Sequence, residues 1–167
     1  VIGELAASRR DLLGSWKAAG EWDDMSSILD AVRAYNGPAN VIYAEGCRKM
    51  GDDRSGYAAA MDAVNKADKV LMVIGEDWDW SGEAASRTDI GVPGVQSELL
   101  RLIASTGKPV AVVLLNGRPL VLEEESNERR MTANNKIFVT KPLEMDDGFF
   151  EKKLEELKNA EECDIRH

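Results

Sequence analysis

Histidine is almost missing from this sequence of 167 residues, because the single example, His167, is the last residue. Serine-histidine-aspartate triads need a well-placed histidine, and so do histidine-rich zinc sites. Chain ends tend to fray, so His167 is a poor candidate for either role. Histidine-dependent catalysis and histidine-rich metal sites are therefore excluded, and we expect neither a metal nor a cofactor.

Cysteine and long apolar runs are scarce as well. Cys47 and Cys163 lack CxxC and zinc-ligand spacing, and a count of two neither demands nor excludes a disulfide. Most lone cysteines are simply small buried groups. The longest apolar runs, at residues 70–74 and 110–115, have the length of a strand and fall well short of the roughly 20 residues of a membrane span. We therefore expect no membrane partner.

Positive charge is in deficit, with 21 lysines and arginines against 30 acidic residues, a formal net charge of -9 and a pI near 4.7. A phosphate backbone or an anionic lipid surface would repel such a chain, whereas a neutral ligand would not. No GxGxxG motif follows the first strand, and the phosphate-loop pattern GxxxxGK[ST] is missing too. These absences argue against nucleic acid and nucleotides as ligands.

Short apolar runs rich in β-branched residues recur at residues 41–43, 70–74, 110–115 and 137–140. Before and between them, apolar residues at helical spacing over residues 28–32, 57–64 and 95–103 predict three helices. Alternation of strands and helices is typical of a parallel sheet covered by helices. The sequence therefore predicts an α/β fold, a three-layer sandwich with a mostly parallel sheet.

The region after the strand at 110–115 is predicted to differ from the rest. Asn116 and Gly117 divide two apolar runs, which is a hairpin signature, so residues 119–122 are predicted to fold back as one antiparallel edge strand. Residues 123–135 form a charged connector. Residues 136–167 read as a further strand and amphipathic helix, which we expect to pack on the same sheet.

The interval between the strand ending at Gly75 and the helix beginning near Val95 runs for about 18 residues without periodicity. Loops longer than roughly 12 to 15 residues in compact domains are usually functional or disordered. Ligands of parallel α/β sheets bind at the carboxyl ends of the strands, which is where this loop emerges. The long loop is therefore the candidate functional site.

The composition of the loop suits a sugar. Aromatic rings stack on the apolar face of a pyranose, while carboxylates and arginine bind its hydroxyls and can transfer a proton to the glycosidic oxygen. A second interpretation stays open, in which the acids are merely solvated and the tryptophans cap the core. The residues concerned are Glu76, Asp77, Trp78, Asp79, Trp80, Glu83, Arg87 and Asp89.

The order of the residues favours the first interpretation. From residue 75 the chain reads GEDWDWSGEAASRTDIGVPGVQSELL, and residues 104–120 read ASTGKPVAVVLLNGRPL. With VIGELAASRRDLLGSWKAAG at residues 1–20 and VIYAEGC at residues 41–47, these motifs resemble the α/β sandwich domain of glycoside hydrolase family 3, particularly its bacterial β-glucosidase branch. The resemblance covers residues 1–122 and implies a flavodoxin-like sandwich, whereas residues 123–167 depart from the family pattern.

The resemblance implies a two-domain retaining glycosidase that hydrolyses terminal β-linked sugars. In such an enzyme an aspartate nucleophile lies on a (β/α)8 barrel, and the sandwich domain contributes a glutamate acid/base. Glu83, in the segment Ser81-Gly82-Glu83, occupies the place of that glutamate. Retaining chemistry needs the two carboxyl groups about 5 to 5.5 Å apart, so Glu83 is expected to project out of its own domain.

The other candidate residues would bind or position the substrate. Trp78 and Trp80 offer faces for sugar stacking. We expect Arg87 and Asp89 to pair and so to position the loop, with a direct sugar contact as the alternative. Trp16, in a turn at another strand's carboxyl end, is a candidate platform for the leaving group, with core packing as the alternative.

The barrel domain is not among these residues, so we expect the chain alone to be inactive. Its expected partners are a β-glucoside or oligosaccharide and the barrel domain of the same enzyme. Exposed Trp78, Trp80 and Trp16 on an open active-site face would favour self-association. The resemblance implies a periplasmic or secreted location. The alternative function is that of a non-catalytic α/β module that binds a sugar or a partner.

Overall fold

The computed structural model describes residues 1–122. Two parallel strands form the central ladder, β1 (Val70–Gly75) and β2 (Val110–Leu115), paired from Val70 opposite Val110 to Gly75 opposite Leu115. Both strands coincide with the apolar β-branched runs of the sequence, as their composition predicts. The predicted connector at 123–135 and the strand-helix unit at 136–167, including the run at 137–140, lie outside the described residues.

The sheet continues beyond β1 through single parallel bridges. Ile2 bridges Met72 of β1 on one side and Ala44 on the other, and its backbone N–H donates to Leu71 O at 2.8 Å. The spatial order is therefore Ala44, Ile2, β1, β2, which is the order of a doubly wound flavodoxin-like sheet. The strand predicted at residues 41–43 is reduced to the bridge at Ala44, because a 3₁₀ helix, Pro38–Asn40, runs up to its start.

Four α-helices are described: α1 (Arg10–Leu13), α2 (Ile28–Asn36), α3 (Tyr57–Lys66) and α4 (Gln96–Ala104). Helices α2, α3 and α4 confirm the three helices predicted from apolar spacing. The Ser27 hydroxyl caps α2 by accepting from the Asp30 N–H at 3.0 Å. Two further 3₁₀ helices span Glu4–Ala7 and Trp22–Asp24. Within residues 1–122 no helix has the length and apolarity needed to cross a bilayer.

Helices cover both faces of the sheet, as the alternation of β1 side chains requires. Met72 and Ile74 point into a core cluster that includes Leu99 and Ile103 of α4. Val73 points the other way, into a smaller cluster formed by α2 and the 3₁₀ helix Glu4–Ala7. Each fully buried aliphatic side chain of this kind contributes about 1.5–3 kcal/mol through its removal from water. The predicted three-layer α/β sandwich is thereby confirmed.

The predicted antiparallel hairpin after β2 is wrong. Val121 forms a parallel bridge with Gly91 of the long loop, and its N–H donates to Ile90 O at 2.8 Å. The physical reason is the ion pair of Arg118 with Glu76 at the end of β1, which draws the chain across the sheet edge instead of back along β2. All bridges and ladders among residues 1–122 are parallel.

The two ends of the long loop are fixed by a single side chain. Gln96, the first residue of α4, is buried; its Oε1 accepts from Gly75 N at 3.0 Å, and its Nε2 donates to the carbonyls of Gly75 and Pro93, each at 2.9 Å. A side chain at Gly75 would collide with Leu115, because a Cβ there would lie 1.9 Å from Leu115 O. β1, β2 and α4 thus meet where the loop of residues 76–95 begins and ends.

Candidate functional site

Glu76, the first residue after β1, is a buried carboxylate between two guanidinium groups. Its side chain is 1% exposed, its Oε1 accepts from Arg87 Nη1 at 2.8 Å and from Arg118 Nη2 at 2.6 Å, and its Oε2 accepts from Arg118 Nε at 3.2 Å. Hydrogen bonds between charged groups of this kind are among the strongest in proteins. They raise the pKa of Arg118 above its usual value. Glu76 therefore anchors two segments of chain, one through Arg87 and one through Arg118.

The partner of Arg87 differs from the one predicted. Arg87 binds Glu76, and its guanidinium also lies 5.1 Å from the centre of the Trp80 ring. The exposed Asp89 accepts instead from the N–H of Gly91 at 2.8 Å, in a local turn. The structure thus replaces the predicted pairing of Arg87 with Asp89, because the buried carboxylate of Glu76 offers Arg87 a stronger partner than an exposed one.

Trp78 takes part in an aromatic and cationic stack that sequence reasoning missed. The Arg10 guanidinium lies 3.9 Å from the Trp78 ring centre and 4.4 Å from that of Trp22, and the two ring centres are 5.9 Å apart. Cation–π contacts of this kind contribute about 0.5–2 kcal/mol, depending on how far they are removed from water. No local motif signals this arrangement, because Arg10 and Trp22 are far from Trp78 in sequence.

An ion-pair network fixes the start of the loop. Asp11 Oδ1 accepts from the Trp78 N–H at 2.8 Å, and its other oxygen lies 3.2 Å from Lys49 Nζ, which also forms an ion pair with Asp77. Burial lowers the pKa of Lys49, but the hydrogen bonds and negative charges of Asp77 and Asp11 outweigh it, so the net shift is upward. The Asp77 carboxylate is therefore occupied by its ion pair with Lys49.

Glu83 differs from Glu76, Asp77 and Asp89, which all have partners within the domain. It is exposed, and within residues 1–122 no hydrogen bond or ion pair holds its carboxylate. It lines a pocket of about 320 Å³. The other residues around this pocket are Ser15, Trp16, Asp79, Ser81 and Gly82. The structure therefore brings together Glu83 and Trp16, two of the predicted site residues, at the carboxyl ends of the strands.

The remaining candidates lie beside this pocket. Trp80 and Arg87 line a neighbouring pocket of about 400 Å³, and Asp79 borders both pockets. Trp78 and Trp80 are half-buried. The expected patch of three exposed tryptophans is therefore corrected to one exposed ring, Trp16, because Arg10 and Arg87 cover the other two.

The exposure of Trp16 leads to a prediction for fluorescence quenching. Its side chain is 73% exposed, whereas Trp22, Trp78 and Trp80 are half-buried. We expect Trp16→Phe to remove most of the tryptophan emission that iodide quenches, and Trp80→Phe to remove little of it. Steady-state quenching of the full chain checks this. Equal loss of the quenchable fraction in the two variants would contradict the exposure described here.

Fold and site together define a class: a doubly wound α/β domain that presents an exposed carboxylate and an exposed tryptophan at the carboxyl ends of its parallel strands. Residues 1–134 match the family model described as Glycosyl hydrolase family 3 C-terminal domain. The chain therefore belongs to glycoside hydrolase family 3, as a C-terminal domain. The match runs past residue 122 into the charged segment.

Named relatives agree with this assignment. The chain is 36% identical over 149 residues to a periplasmic beta-glucosidase of Salmonella typhimurium, an alignment covering 77% of this chain and 20% of the relative. It is 37% identical over 125 residues to a beta-xylosidase of Formosa agariphila, covering 72% of this chain and 17% of the relative. The crystal structure of a beta-glucosidase from Listeria innocua superposes with a TM-score of 0.69 at 31% identity, covering 76% of this chain and 17% of that one. The chain thus spans a fifth or less of the length of these proteins.

Proposed function

We propose that this chain is the acid/base-donating domain of a retaining β-glycosidase, in which Glu83 protonates the leaving-group oxygen and later activates water. The observation that carries the proposal is the exposed Glu83 carboxylate in a pocket shared with Trp16. A general acid/base must reach the substrate with a proton that is free to transfer. An exposed carboxylate at the carboxyl ends of parallel strands meets this requirement.

Three other carboxylates of the loop are engaged within the domain, whereas Asp79 is exposed and lines the same pocket as Glu83. Glu76 is buried between Arg87 and Arg118. Asp77 is paired with Lys49, and Asp89 accepts a local N–H. A carboxylate whose oxygens are already bonded within the domain is less available to a substrate that enters from outside. Engagement thus leaves Glu83 and Asp79, and of these two it is Glu83 that occupies the place of the acid/base in the family resemblance, within the segment Ser81-Gly82-Glu83.

The second carboxylate of the reaction must come from elsewhere. In a retaining mechanism a nucleophile attacks the anomeric carbon from about 5 to 5.5 Å away from the acid/base, and a covalent glycosyl-enzyme intermediate forms. Glu83 can donate a proton but cannot also be that nucleophile. We therefore propose that a (β/α)8 barrel domain of the same enzyme supplies an aspartate and covers the Glu83 pocket, and that residues 1–167 alone are inactive.

The substrate class follows from the relatives and from Trp16. The relatives bear the names beta-glucosidase and beta-xylosidase, so we propose a terminal β-linked glucoside or xyloside as substrate. Trp16 shares the pocket of Glu83, where the leaving group must lie when its oxygen is protonated. We propose that its exposed ring stacks on the leaving group. Trp80 and Arg87 line the neighbouring pocket, whereas Asp89 lines neither of these two pockets. Trp78 is held in the stack with Arg10.

A domain-complementation experiment tests the proposal. We expect the full 167-residue chain alone not to hydrolyse 4-nitrophenyl β-glucoside, and a fusion of the chain to the barrel domain of a family relative to do so. The barrel domain alone and the barrel fused to its own C-terminal domain serve as controls. If the native fusion is active and the fusion with this chain is not, the chain is a non-catalytic sugar- or partner-binding module instead.

A further inference from the structure

We propose that Gly117 and Arg118, directly after β2, are the positioning residues for Glu83, because they hold the loop on both sides of it. This inference rests on the proposed acid/base role of Glu83. In this proposal neither residue donates the proton or contacts the sugar. The conformation of the Glu83 segment depends on both of them. Each contributes a separate anchor.

The first anchor lies two residues before Glu83. The Ser81 hydroxyl donates to the Gly117 carbonyl at 2.8 Å, and the Ser81 carbonyl accepts from the hydroxyl of Ser15. Ser81 is thus held from two sides by segments that follow α1 and β2. The approach to Gly117 is close, because a Cβ added there would lie 2.5 Å from Ser81 Cβ and 2.8 Å from its Oγ. A side chain at position 117 would push Ser81, and with it Glu83, out of place.

The second anchor lies four residues after Glu83. Arg118 binds both oxygens of Glu76, and Glu76 in turn accepts from Arg87 of the loop. The side chains of Arg87 and Arg118 are only 16% and 20% exposed, and that of Glu76 is 1% exposed. Low exposure weakens screening by water, so these charge-assisted bonds hold their geometry. The Glu76 carboxylate thereby links Arg118 to Arg87, which lies on the C-terminal side of the Glu83 segment.

The two anchors converge on consecutive residues at the end of a paired strand. β2 is paired with β1 up to Leu115, so Gly117 and Arg118 follow only two and three residues after the last paired residue of the strand. Residues 82–86 between the anchors carry the exposed carboxylate that must meet a substrate from outside the domain. Proton transfer requires the carboxyl group to lie within hydrogen-bond distance of the glycosidic oxygen. A displacement of the catalytic group by about 1 Å can lower the rate about 10²-fold. Anchoring on both sides restricts such displacement.

Amide hydrogen exchange on the full 167-residue chain tests the anchoring without any need for activity. We expect Arg118→Gln and Gly117→Ala each to accelerate exchange of the segment 79–86 at least fivefold, with exchange in α3 unchanged. Arg118→Lys should give an intermediate effect, because lysine keeps the charge but lacks the forked donor. Arg54→Gln is the matched control, since Arg54 also binds a glutamate, Glu98, through two nitrogens, but at an exposed site. Unchanged exchange at 79–86 in both test variants overturns the proposal.

Kinetics of the barrel fusion test the consequence for catalysis. We expect Arg118→Gln and Gly117→Ala to lower kcat by about ten- to a hundredfold, with KM changed by less than about threefold, and Arg118→Lys to recover part of kcat. Faster exchange without loss of kcat, in a fusion that Glu83→Gln inactivates, overturns the positioning role while leaving the acid/base role intact. A fusion whose activity on cellobiose survives Glu83→Gln refutes the acid/base role instead, and the exchange data still decide whether the anchors exist.

Discussion

Replacing Glu83 with glutamine should lower kcat/KM of the barrel fusion by about 10²- to 10⁴-fold for β-glucosides with alkyl or sugar leaving groups. Such leaving groups depart as strongly basic alkoxides unless a proton is delivered to the glycosidic oxygen in the transition state. Glutamine keeps the size of the side chain and the exposed position but has no transferable proton. Steady-state kinetics with cellobiose or methyl β-glucoside measure the loss.

The leaving group separates this mechanism from general damage to the domain. With 2,4-dinitrophenyl β-glucoside, whose leaving group departs as a weakly basic phenolate, the kcat/KM of Glu83→Gln should fall far less. The matched control is Glu45→Gln, because Glu45 is also exposed and lines none of the pockets beside the loop. An equal loss for both classes of leaving group would mean that Glu83 supports the structure and does not donate the proton.

Much of this architecture could be predicted from local sequence. β1 and β2 are continuous apolar β-branched runs of strand length, and α2 begins at a serine cap and ends before Gly37 and Pro38. Such signals act over a few residues, so they survive in a single sequence. The hairpin signature at Asn116 and Gly117 failed because a distant, buried carboxylate decides the course of the chain there, and nothing local to residues 116–122 reveals it.

In the candidate site, too, some features could be predicted from local sequence, whereas others depend on contacts between distant residues. The length and composition of the loop at 76–95 and the order of its residues indicated the region and led to Glu83 and Trp16 as candidates. The composition of the loop did not rank its acids, Glu76, Asp77, Asp79, Glu83 and Asp89, and it was the family resemblance that singled out Glu83. Burial sets Glu76 apart, since it is 3% exposed overall while Asp79, Glu83 and Asp89 are exposed. Arg10, Trp22, Lys49 and Arg118 escaped notice because each meets the loop only through the fold.

Loss of the buried anchor should have the largest effect on stability. We expect Glu76→Ala to lower the free energy of unfolding by about 3–5 kcal/mol, because it leaves the guanidinium groups of Arg87 and Arg118 without their carboxylate. Removing one partner of a buried ion pair is costly since the remaining charge keeps its desolvation penalty. Domains of this size have a free energy of unfolding of about 5–15 kcal/mol, so the loss is a large share of the total. Urea denaturation followed by circular dichroism measures the difference.

The pair of Arg54 with Glu98 provides the comparison that isolates burial. It too joins a glutamate to two guanidinium nitrogens, at 2.6 and 2.8 Å, but its side chains are 48% and 43% exposed. Water and salt screen such a pair, so Glu98→Ala should lower the free energy of unfolding far less than Glu76→Ala does. A double variant, Glu76→Ala with Arg118→Leu, should recover part of the lost stability because it removes one unpaired charge. Equal losses for Glu76→Ala and Glu98→Ala would show that Glu76 is not the anchor on which the ends of the loop and β2 depend.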